Sequence, residues 1–134
     1  MENNMEIESG KVNEGVKGTL QTSSFGKSVL EHLEKSKYFP VQLSGFRFAI
    51  AYAVSQGITI QEGYKMPDRQ GLTWGTTNID PHGQVRIFIE EVYLNGQKKS
   101  HEEIYKLAEC LAEEGLKLIS EKLQSGETIG QLLS

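Results

Sequence analysis

The stretch FRFAIAYAVSQGI, residues 46–58, is the most apolar run of the chain. It predicts a central helix over residues 43–56, which Gly57 ends because glycine takes a positive φ at the C′ position without strain. Only three residues of the stretch are clearly polar, and a helix that is apolar on nearly all sides is buried on nearly all sides. At least two other elements must therefore pack against this helix.

The length and composition of the chain indicate how many domains these elements can form. The chain has 134 residues, of which 37% are hydrophobic, and this is enough for one compact core. We predict a single mainly α domain, a compact helical domain over residues 19–134. Residues 1–18 are polar and lack an apolar period, so they are predicted to form a flexible tail.

The net charge, the single cysteine and the lack of a long apolar segment indicate which partners and which cellular compartment to expect. The formal net charge of −4 and the pI of about 5.4 do not favour nucleic acid or an anionic membrane as a partner, although a local basic face would still permit nucleic acid. Cys110 is the only cysteine, so no internal disulfide forms. The sequence has neither a signal-like segment nor an apolar run of about 18 residues. We therefore expect a cytoplasmic protein with no membrane partner.

A shorter helix precedes the central one. Ser23 or Ser24 caps this helix, which runs to about Lys37. Its apolar stripe consists of Phe25, Val29, Leu30 and Leu33. Short strands are indicated near residues 19–22, where polar and apolar residues alternate, and near residues 58–61, which are rich in β-branched side chains.

The last long helix is the clearest element of the sequence. Ser100 and Glu103 form a capping box at its start, and apolar residues recur at helical spacing as far as Leu123. Its opposite face carries Glu102, Lys106, Glu109, Glu113, Lys117 and Glu121. Because acidic and basic residues recur there at i,i+4 spacing, we predict that this face is solvated.

Residues 80–94 are compatible with two structures. Asp80 at an N-cap, Pro81 at the first helical position and a terminal Asn95-Gly96 indicate a helix. Turn-forming residues followed by alternating apolar side chains indicate a β-hairpin instead. The helix is favoured by its matched start and stop signals, and the hairpin stays open as the alternative.

The segment of residues 64–77 holds the candidate binding site. The candidate binding residues are Tyr64, Lys65, Arg69 and Trp74. An aromatic side chain flanked by cations can seat a partner's side chain or stack on a base, and long loops without secondary structure are often functional. Replacing Arg69 by alanine is expected to remove binding and leave stability nearly unchanged. Trp74 has a second interpretation, because a single tryptophan often closes one edge of a core.

Catalytic and metal-binding chemistry is not indicated. His32, His82 and His101 lie on different predicted elements, and none has the i,i+4 partner of a helical metal site. The sequence Gly26-Lys27-Ser28 lacks the glycine five residues earlier that a phosphate-binding loop requires. We therefore predict a protein that is not an enzyme and that holds neither a metal nor another cofactor.

Two groups of positions carry a family resemblance. They are Phe46-x-Phe48-Ala49-x-x-x-Ala53-x-x-x-Gly57-Ile58 and, after an Asp80-containing start, Ile104-x-x-Leu107-Ala108-x-x-x-x-x-x-Gly115-Leu116. This layout resembles small helical proteins encoded beside bacterial DNA phosphorothioation and restriction systems. The resemblance implies a non-catalytic accessory or adaptor protein of a bacterial DNA-modification or defence system, which acts by protein–protein binding, with a homo-oligomer as one form of that binding. It carries over no catalytic residue.

A second resemblance implies an alternative function. A strand at residues 19–22, a helix ending near Tyr38 and a helix containing Arg47 are similar to the ribbon-helix-helix pattern of small repressors, whose paired strands enter the major groove. The alternative is therefore a small DNA-binding regulator. The strand departs from that pattern because it has no Arg or Lys, and within it only Gln21 could read a base.

Overall fold

The computed structural model of the protein describes residues 18–132. The predicted tail lies outside the described residues except for Gly18. The helices are α1 (Ser24–Lys35), α2 (Gln42–Ser55), α3 (Thr76–Ile79), α4 (Gln84–Phe88), α5 (His101–Gln124) and α6 (Ile129–Leu132), and the strands are β1 (Thr19–Gln21) and β2 (Thr73–Gly75). The predicted mainly α class with short strands is confirmed.

Helix α2 is the predicted central helix, and it begins and ends one residue earlier than expected. Gly57 has a φ of +75°, and the N–H of Ile58 donates to the carbonyl of Ala53 at 3.1 Å. The N–H of Gly57 donates to the carbonyl of Val54 at 3.0 Å. These two bonds form a Schellman motif, which satisfies carbonyls that the helix itself leaves free. The predicted stop is confirmed.

One narrow line of α2 faces solvent, although the sequence predicts burial on nearly all sides. Arg47, Ala51 and Ser55 follow each other at four-residue intervals and are exposed, whereas Ala49 and Ala53 are fully buried. Residues four apart lie on the same side of a helix, so the exposed positions form a single stripe. The neighbouring elements cover the rest of the helix.

Helix α5 packs directly on α2, and Gly115 is the residue that allows it. A Cβ at Gly115 would collide with the backbone carbonyl of Ala49, so only glycine lets the two backbones approach this closely. The capping box at the start of α5 is confirmed: the N–H of Glu103 donates to the Ser100 hydroxyl, and the N–H of Ser100 donates to the Glu103 carboxylate, each at 3.1 Å.

Among residues 18–132, no helix combines the length and the apolar character needed to cross a membrane.

Helix α1 packs on both α2 and α5. Ser23 is its N-cap, because the Ser23 hydroxyl accepts a hydrogen bond from the N–H of Gly26 at 2.9 Å. Val29, Leu30 and Leu33 are buried as predicted. Phe25 is 41% exposed, so its predicted place on the buried stripe is wrong. The stripe instead begins at Gly26, which lies against the side chain of Leu116.

The two strands form one antiparallel ladder. Leu20 pairs with Trp74 at its centre, and Thr19 and Gln21 pair with Gly75 and Thr73. The strand predicted near residues 58–61 does not form. The N–H of Ile58 caps α2, and the N–H of Ile60 donates to the hydroxyl of Tyr93 at 2.8 Å. These donors are therefore not available for a ladder.

The segment 80–94 is helical over residues 84–93, and the hairpin alternative is wrong. Pro81 lies in the turn before the helix, so its predicted place at the first helical position is also wrong. Asp80 is not the N-cap residue itself, because Gly83 takes that position with a φ of +71°. The Asp80 carboxylate instead accepts from the N–H groups of Val85 at 2.9 Å and Arg86 at 3.0 Å. A carboxylate at this end of a helix satisfies free N–H groups and complements the helix dipole.

The second half of this helix is a π-helical turn over Ile89–Tyr93. The wider turn adds one residue, so the N–H of Leu94 reaches the carbonyl of Ile89 at 2.8 Å. Val92, predicted on the apolar stripe, is consequently 52% exposed, while Tyr93 and Leu94 pack against the core. Asn95 and Gly96 end the helix with positive φ values, as predicted.

Candidate functional site

The candidate site is built on a long connection between α2 and β2, residues 58–72, which we call the strap. Residues 58–72 contain no helix or strand, yet they are bonded to the domain at several points. The first bonds are the one from Ile60 to Tyr93 and a hydrogen bond of 2.5 Å from the Tyr64 hydroxyl to the Glu114 carboxylate on α5. The strap is therefore held against the rest of the domain by hydrogen bonds.

Asp68 fastens the middle of the strap to the start of α1. Its carboxylate accepts from the N–H of Ser24 at 2.8 Å, from the Ser24 hydroxyl at 3.1 Å and from the N–H of Gln70 at 2.9 Å. The bond from Gln70, followed by that from Ser24, lowers the pKa of the Asp68 carboxyl. The ionised form of Asp68 is thus the one that holds the strap.

Thr22 fastens the end of the strap. The N–H of Gly71 donates to the Thr22 carbonyl at 3.0 Å, and the N–H of Leu72 donates to the Thr22 hydroxyl at 2.8 Å. A Cβ at Gly71 would collide with the carbonyl of Ser23, so the close approach requires glycine. This junction aligns the following residues with β1.

A groove of about 470 Å³ lies between the strap and α5. We call it the strap groove, and its lining residues are Tyr64, Lys65, Met66, Arg69, Lys106, Glu109 and Cys110. A second pocket of about 230 Å³ shares Lys106 and Cys110 with it and adds Lys99, Glu103 and Leu107. The two pockets therefore continue one another along α5.

Arg69 and Glu109 form an ion pair at the wall of the strap groove. The Glu109 side chain is only 2% exposed, and its Oε1 contacts Nη2 of Arg69, whose side chain is 45% exposed. Gln21 joins this pair twice: its side-chain oxygen accepts from Nε of Arg69 at 3.0 Å, and its N–H donates to Oε2 of Glu109 at 2.7 Å. A buried carboxylate needs such partners, so Arg69 has a structural role in addition to any role in binding.

Tyr64, Glu114 and Lys117 form a second polar cluster beside the groove. Lys117 donates to the Glu114 oxygen that Tyr64 also reaches, at 2.9 Å. Burial, followed by the bond to Glu114, raises the pKa of Tyr64 well above its ordinary value. For Glu114, burial acts to raise the pKa, but the bonds from Tyr64 and Lys117 outweigh burial and lower it. Tyr64 is therefore a neutral donor and Glu114 a charged acceptor at neutral pH.

Cys110 contributes a thiol to both pockets. Burial raises its pKa to about 11, and the nearby carboxylate of Glu109 adds to the increase. The thiolate is the nucleophilic and metal-binding form of cysteine. At neutral pH Cys110 is therefore a thiol of low reactivity.

The structure brings three of the four predicted binding residues together. Tyr64, Lys65 and Arg69 line the strap groove, whereas Trp74 lies on β2. The ring of Trp74 is 5.1 Å from that of Phe46, centroid to centroid, and packs against the core. The second interpretation of Trp74, a side chain that closes an edge of the core, fits this position. The segment 64–77 is also less irregular than predicted, because β2 and part of α3 lie within it.

Sequence reasoning did not identify the residues that α5 contributes to the site. Glu109 and Glu113 were predicted on a solvated face, and this is wrong: both are only 2% exposed. Their spacing holds the missed signal, because Glu109 and Glu113 continue with the buried residues Ala112 and Leu116 as an i, i+3, i+4, i+7 stripe. Of the predicted i,i+4 pairs on this face, Glu113 with Lys117 is replaced by Glu114 with Lys117.

Glu113 lies beneath the start of α1. Its Oε1 accepts from the Ser23 hydroxyl at 2.7 Å, and its Oε2 has no hydrogen-bond partner in the part of the chain that the structure describes. Burial raises the pKa of the Glu113 carboxyl, although the Ser23 bond and the charge of Lys117 oppose the increase. Glu113 is thus a buried acid and not a surface charge.

The first strand is not free to pair with a second copy as a ribbon-helix-helix strand would. One side of β1 is bonded to β2 of the same chain, and the N–H of Gln21 donates to Glu109. Leu20 is fully buried. This arrangement does not favour the DNA-binding alternative.

Comparisons of the chain with protein-family models, with curated proteins and with solved structures found no match in any of the three. Within residues 18–132, no group of three or more His, Cys, Asp or Glu side chains is placed to hold a metal ion.

Proposed function

We propose that this protein is a non-catalytic adaptor that binds a protein partner in the strap groove, as an accessory component of a bacterial DNA-modification or defence system. The observation that carries the binding role is the meeting of Tyr64, Lys65 and Arg69 at one groove with a fixed wall. A preorganised groove loses less entropy on binding than a mobile loop does. The assignment to a DNA-modification or defence system rests on the resemblance in layout described above.

The chemistry of the groove supports binding over catalysis. The Cys110 thiol has a raised pKa, and the Tyr64 hydroxyl already donates to Glu114. The Glu109 carboxylate is occupied by Arg69 and Gln21. A general base or nucleophile needs a lone pair that is accessible and a pKa matched to its task, and these three groups do not meet both conditions.

Capture from the native host tests this proposal. A tagged wild-type chain and the variant Lys65→Glu/Lys106→Glu are used as baits, with identification by mass spectrometry. Both lysines are exposed and line the groove, so the variant changes the site and leaves the core intact. We expect the wild type to capture a specific protein that the variant does not. Equal capture by both baits, or no specific capture, would reject the groove as the binding site.

The proposed place in a bacterial DNA-modification or defence system is tested by the identity of the captured protein. We expect it to be encoded beside genes for DNA modification or restriction. Size-exclusion chromatography with light scattering on the purified chain determines whether a second copy is itself the partner. A titration of fluorescent random duplex DNA at two salt concentrations is the matched control, because a DNA binder loses affinity steeply as salt rises. An adaptor is expected to give no salt-sensitive signal.

A further inference from the structure

The charges along the strap groove are unevenly satisfied. Lys65 and Lys106 are exposed and form no ion pair with any residue in the described range of 18–132. Lys99, in the adjoining pocket, is half-buried and also forms no ion pair within that range. A lysine ammonium offers three donors, and these are directed to solvent or to a ligand. The groove therefore presents cations that have no direct ion-pair partner among residues 18–132, although Lys99 and Lys106 lie close enough to Glu103 to help lower its pKa.

The acidic side chains of the same surface are already occupied by protein donors. Glu109 is held by Arg69 and by the N–H of Gln21. Glu103 accepts from the N–H and the hydroxyl of Ser100 at 3.1 and 3.2 Å. Hydrogen bonds to a carboxylate favour its charged form and orient it, so both carboxylates keep their charge. The strap groove is nevertheless positive, because its lining holds three cations, Lys65, Arg69 and Lys106, and one carboxylate, Glu109, although the chain has a net charge of −4.

Arg69 adds donors with a fixed direction. Its Nη2 and Nε are used by Glu109 and Gln21, but within residues 18–132 its Nη1 has only the Met66 sulfur as a partner, at 3.8 Å. Thioether sulfur is a weak acceptor, so the N–H groups of Nη1 remain able to bind a stronger one. A guanidinium that is anchored on one side loses little side-chain entropy when it binds a carboxylate on the other.

The groove also has an apolar component. The side chains of Met66 and Cys110 lie beside the cations of the strap groove, and Leu107 extends this surface in the adjoining pocket. A duplex presents a row of phosphates that requires a broad basic face, whereas the cations of this groove lie beside apolar side chains. A peptide that combines carboxylates with apolar side chains matches both components of the groove.

We infer that the strap groove binds an acidic segment of its partner, in which Asp or Glu side chains contact Lys65, Arg69 and Lys106 and an apolar side chain lies against Met66. This inference rests on the proposed function and adds the chemical class of the partner. The net negative charge of the adaptor does not oppose the complex. Repulsion from acidic residues more than about 10 Å away is largely screened at moderate salt, whereas the cations of the groove contact the segment directly.

A phage-displayed library of random 12-residue peptides tests the inference on the full chain. We expect the wild type to select peptides enriched in Asp and Glu over the input library. The variant Lys65→Glu/Lys106→Glu should lose this enrichment. The variant Lys27→Glu/Lys35→Glu is the matched control, since it makes the same change of charge at exposed lysines of α1 that do not line the groove.

Anisotropy titration of one selected peptide then measures the effect of each charge. Replacing its Asp and Glu by Asn and Gln should weaken binding about tenfold or more, as should the Lys65→Glu/Lys106→Glu variant, while the control variant should change it less than about twofold. Thermal melts of both variants establish that they are folded.

Each other outcome overturns the inference in a distinct way. Selected peptides that are neutral but still require Lys65 and Lys106 leave the adaptor function standing and reject the acidic partner. Peptides whose binding is unaffected by both variants, or the absence of any selected peptide, reject the groove for both proposals. A fluorescent duplex that binds more tightly than the peptides and is lost in Lys65→Glu/Lys106→Glu assigns the groove to nucleic acid instead.

Discussion

Arg69 illustrates how one residue can serve both folding and binding. It neutralises Glu109, a carboxylate that is almost fully buried, while almost half of its own side chain stays exposed in the strap groove. Removing one partner of such a pair leaves a buried charge without compensation, and this costs more than the pair itself contributes. If an Arg69 variant loses binding, the loss of a groove contact and the loss of stability are therefore both causes to be separated.

The first prediction concerns this pair. We expect Arg69→Ala to lower the free energy of unfolding by about 2 to 3 kcal/mol, less than for a fully buried pair because Arg69 is half exposed. Chemical denaturation measures the loss. This reverses the sequence-based expectation of a nearly unchanged melt. The double variant Arg69→Ala/Glu109→Gln should recover part of the loss, and a single variant as stable as the parent would contradict the structural role of Arg69.

The second prediction concerns Glu113 and pH. Its pKa is raised in the folded protein, so between the unfolded and folded pKa values the folded state binds more protons than the unfolded state. The contribution of Glu113 to stability is thus fully present below the unfolded pKa and is lost as the pH rises through the folded pKa. We expect Glu113→Gln to remove this decline, so that the variant gains on the wild type from acid to neutral pH.

Urea denaturation at a series of pH values from about 4 to 8 measures the decline in stability. Glu121→Gln, at an exposed position of the same helix, is the control and should keep the wild-type profile. Parallel profiles for the wild type and Glu113→Gln would show that Glu113 does not titrate differently in the two states.

At the scale of residues, the sequence identifies the groove side chains of the strap and not those of α5. Tyr64, Lys65 and Arg69 are recognisable because binding residues on connections are local in sequence. Glu109 fits a solvated helix face equally well, because i,i+4 charge pairs are typical of such faces. Its burial depends on β1 and the strap, which lie about 90 and 40 residues away, respectively, along the chain.

At the scale of elements, α2 is the helix on which the others pack, and it separates buried from exposed positions sharply. Ala53 is fully buried, whereas Ala51, two residues earlier, is exposed. The two positions share helix propensity and differ only in environment. They therefore provide a matched pair for testing the packing of α2.

The third prediction uses this pair. Ala53→Glu places an unpaired charge in the core and should abolish the cooperative melt, because the cost of burying it is comparable with the total stability of a small domain. Ala51→Glu should melt within a few degrees of the parent, since its side chain reaches solvent. Circular dichroism melts measure both. A cooperative, parent-like melt for Ala53→Glu would mean that this face of α2 is not in the core.

Element boundaries follow from local signals where those signals act within one turn. The capping box of α5 and the Gly57 stop of α2 were predictable because their donors and acceptors are a few residues apart. The absence of a strand at 58–61 was not predictable, because the N–H of Ile60 donates to the hydroxyl of Tyr93 across the fold. Tertiary bonds of this kind override β propensity.

At the scale of the whole molecule, the core and the strap groove are adjacent but chemically distinct. Trp74 belongs to the core through Phe46, while Lys65 and Lys106 belong to the groove surface. The sequence placed Trp74 and Lys65 in one site because they are neighbours along the chain. The strand pairing of Leu20 with Trp74 separates them in space.

The last prediction is that stability and partner capture can be removed independently. Trp74→Ala should lower the free energy of unfolding by about 2 to 4 kcal/mol, since it removes a large side chain packed on Phe46, and Trp74→Phe should restore part of the loss by keeping an aromatic ring there. Below its melting temperature, Trp74→Ala should still capture the host partner. Lys65→Glu/Lys106→Glu should do the opposite and keep the parental melt without capturing the partner. Melting and capture are measured on the same preparations, and a folded Trp74→Ala protein that fails to capture the partner would move the binding surface from the strap groove to β2.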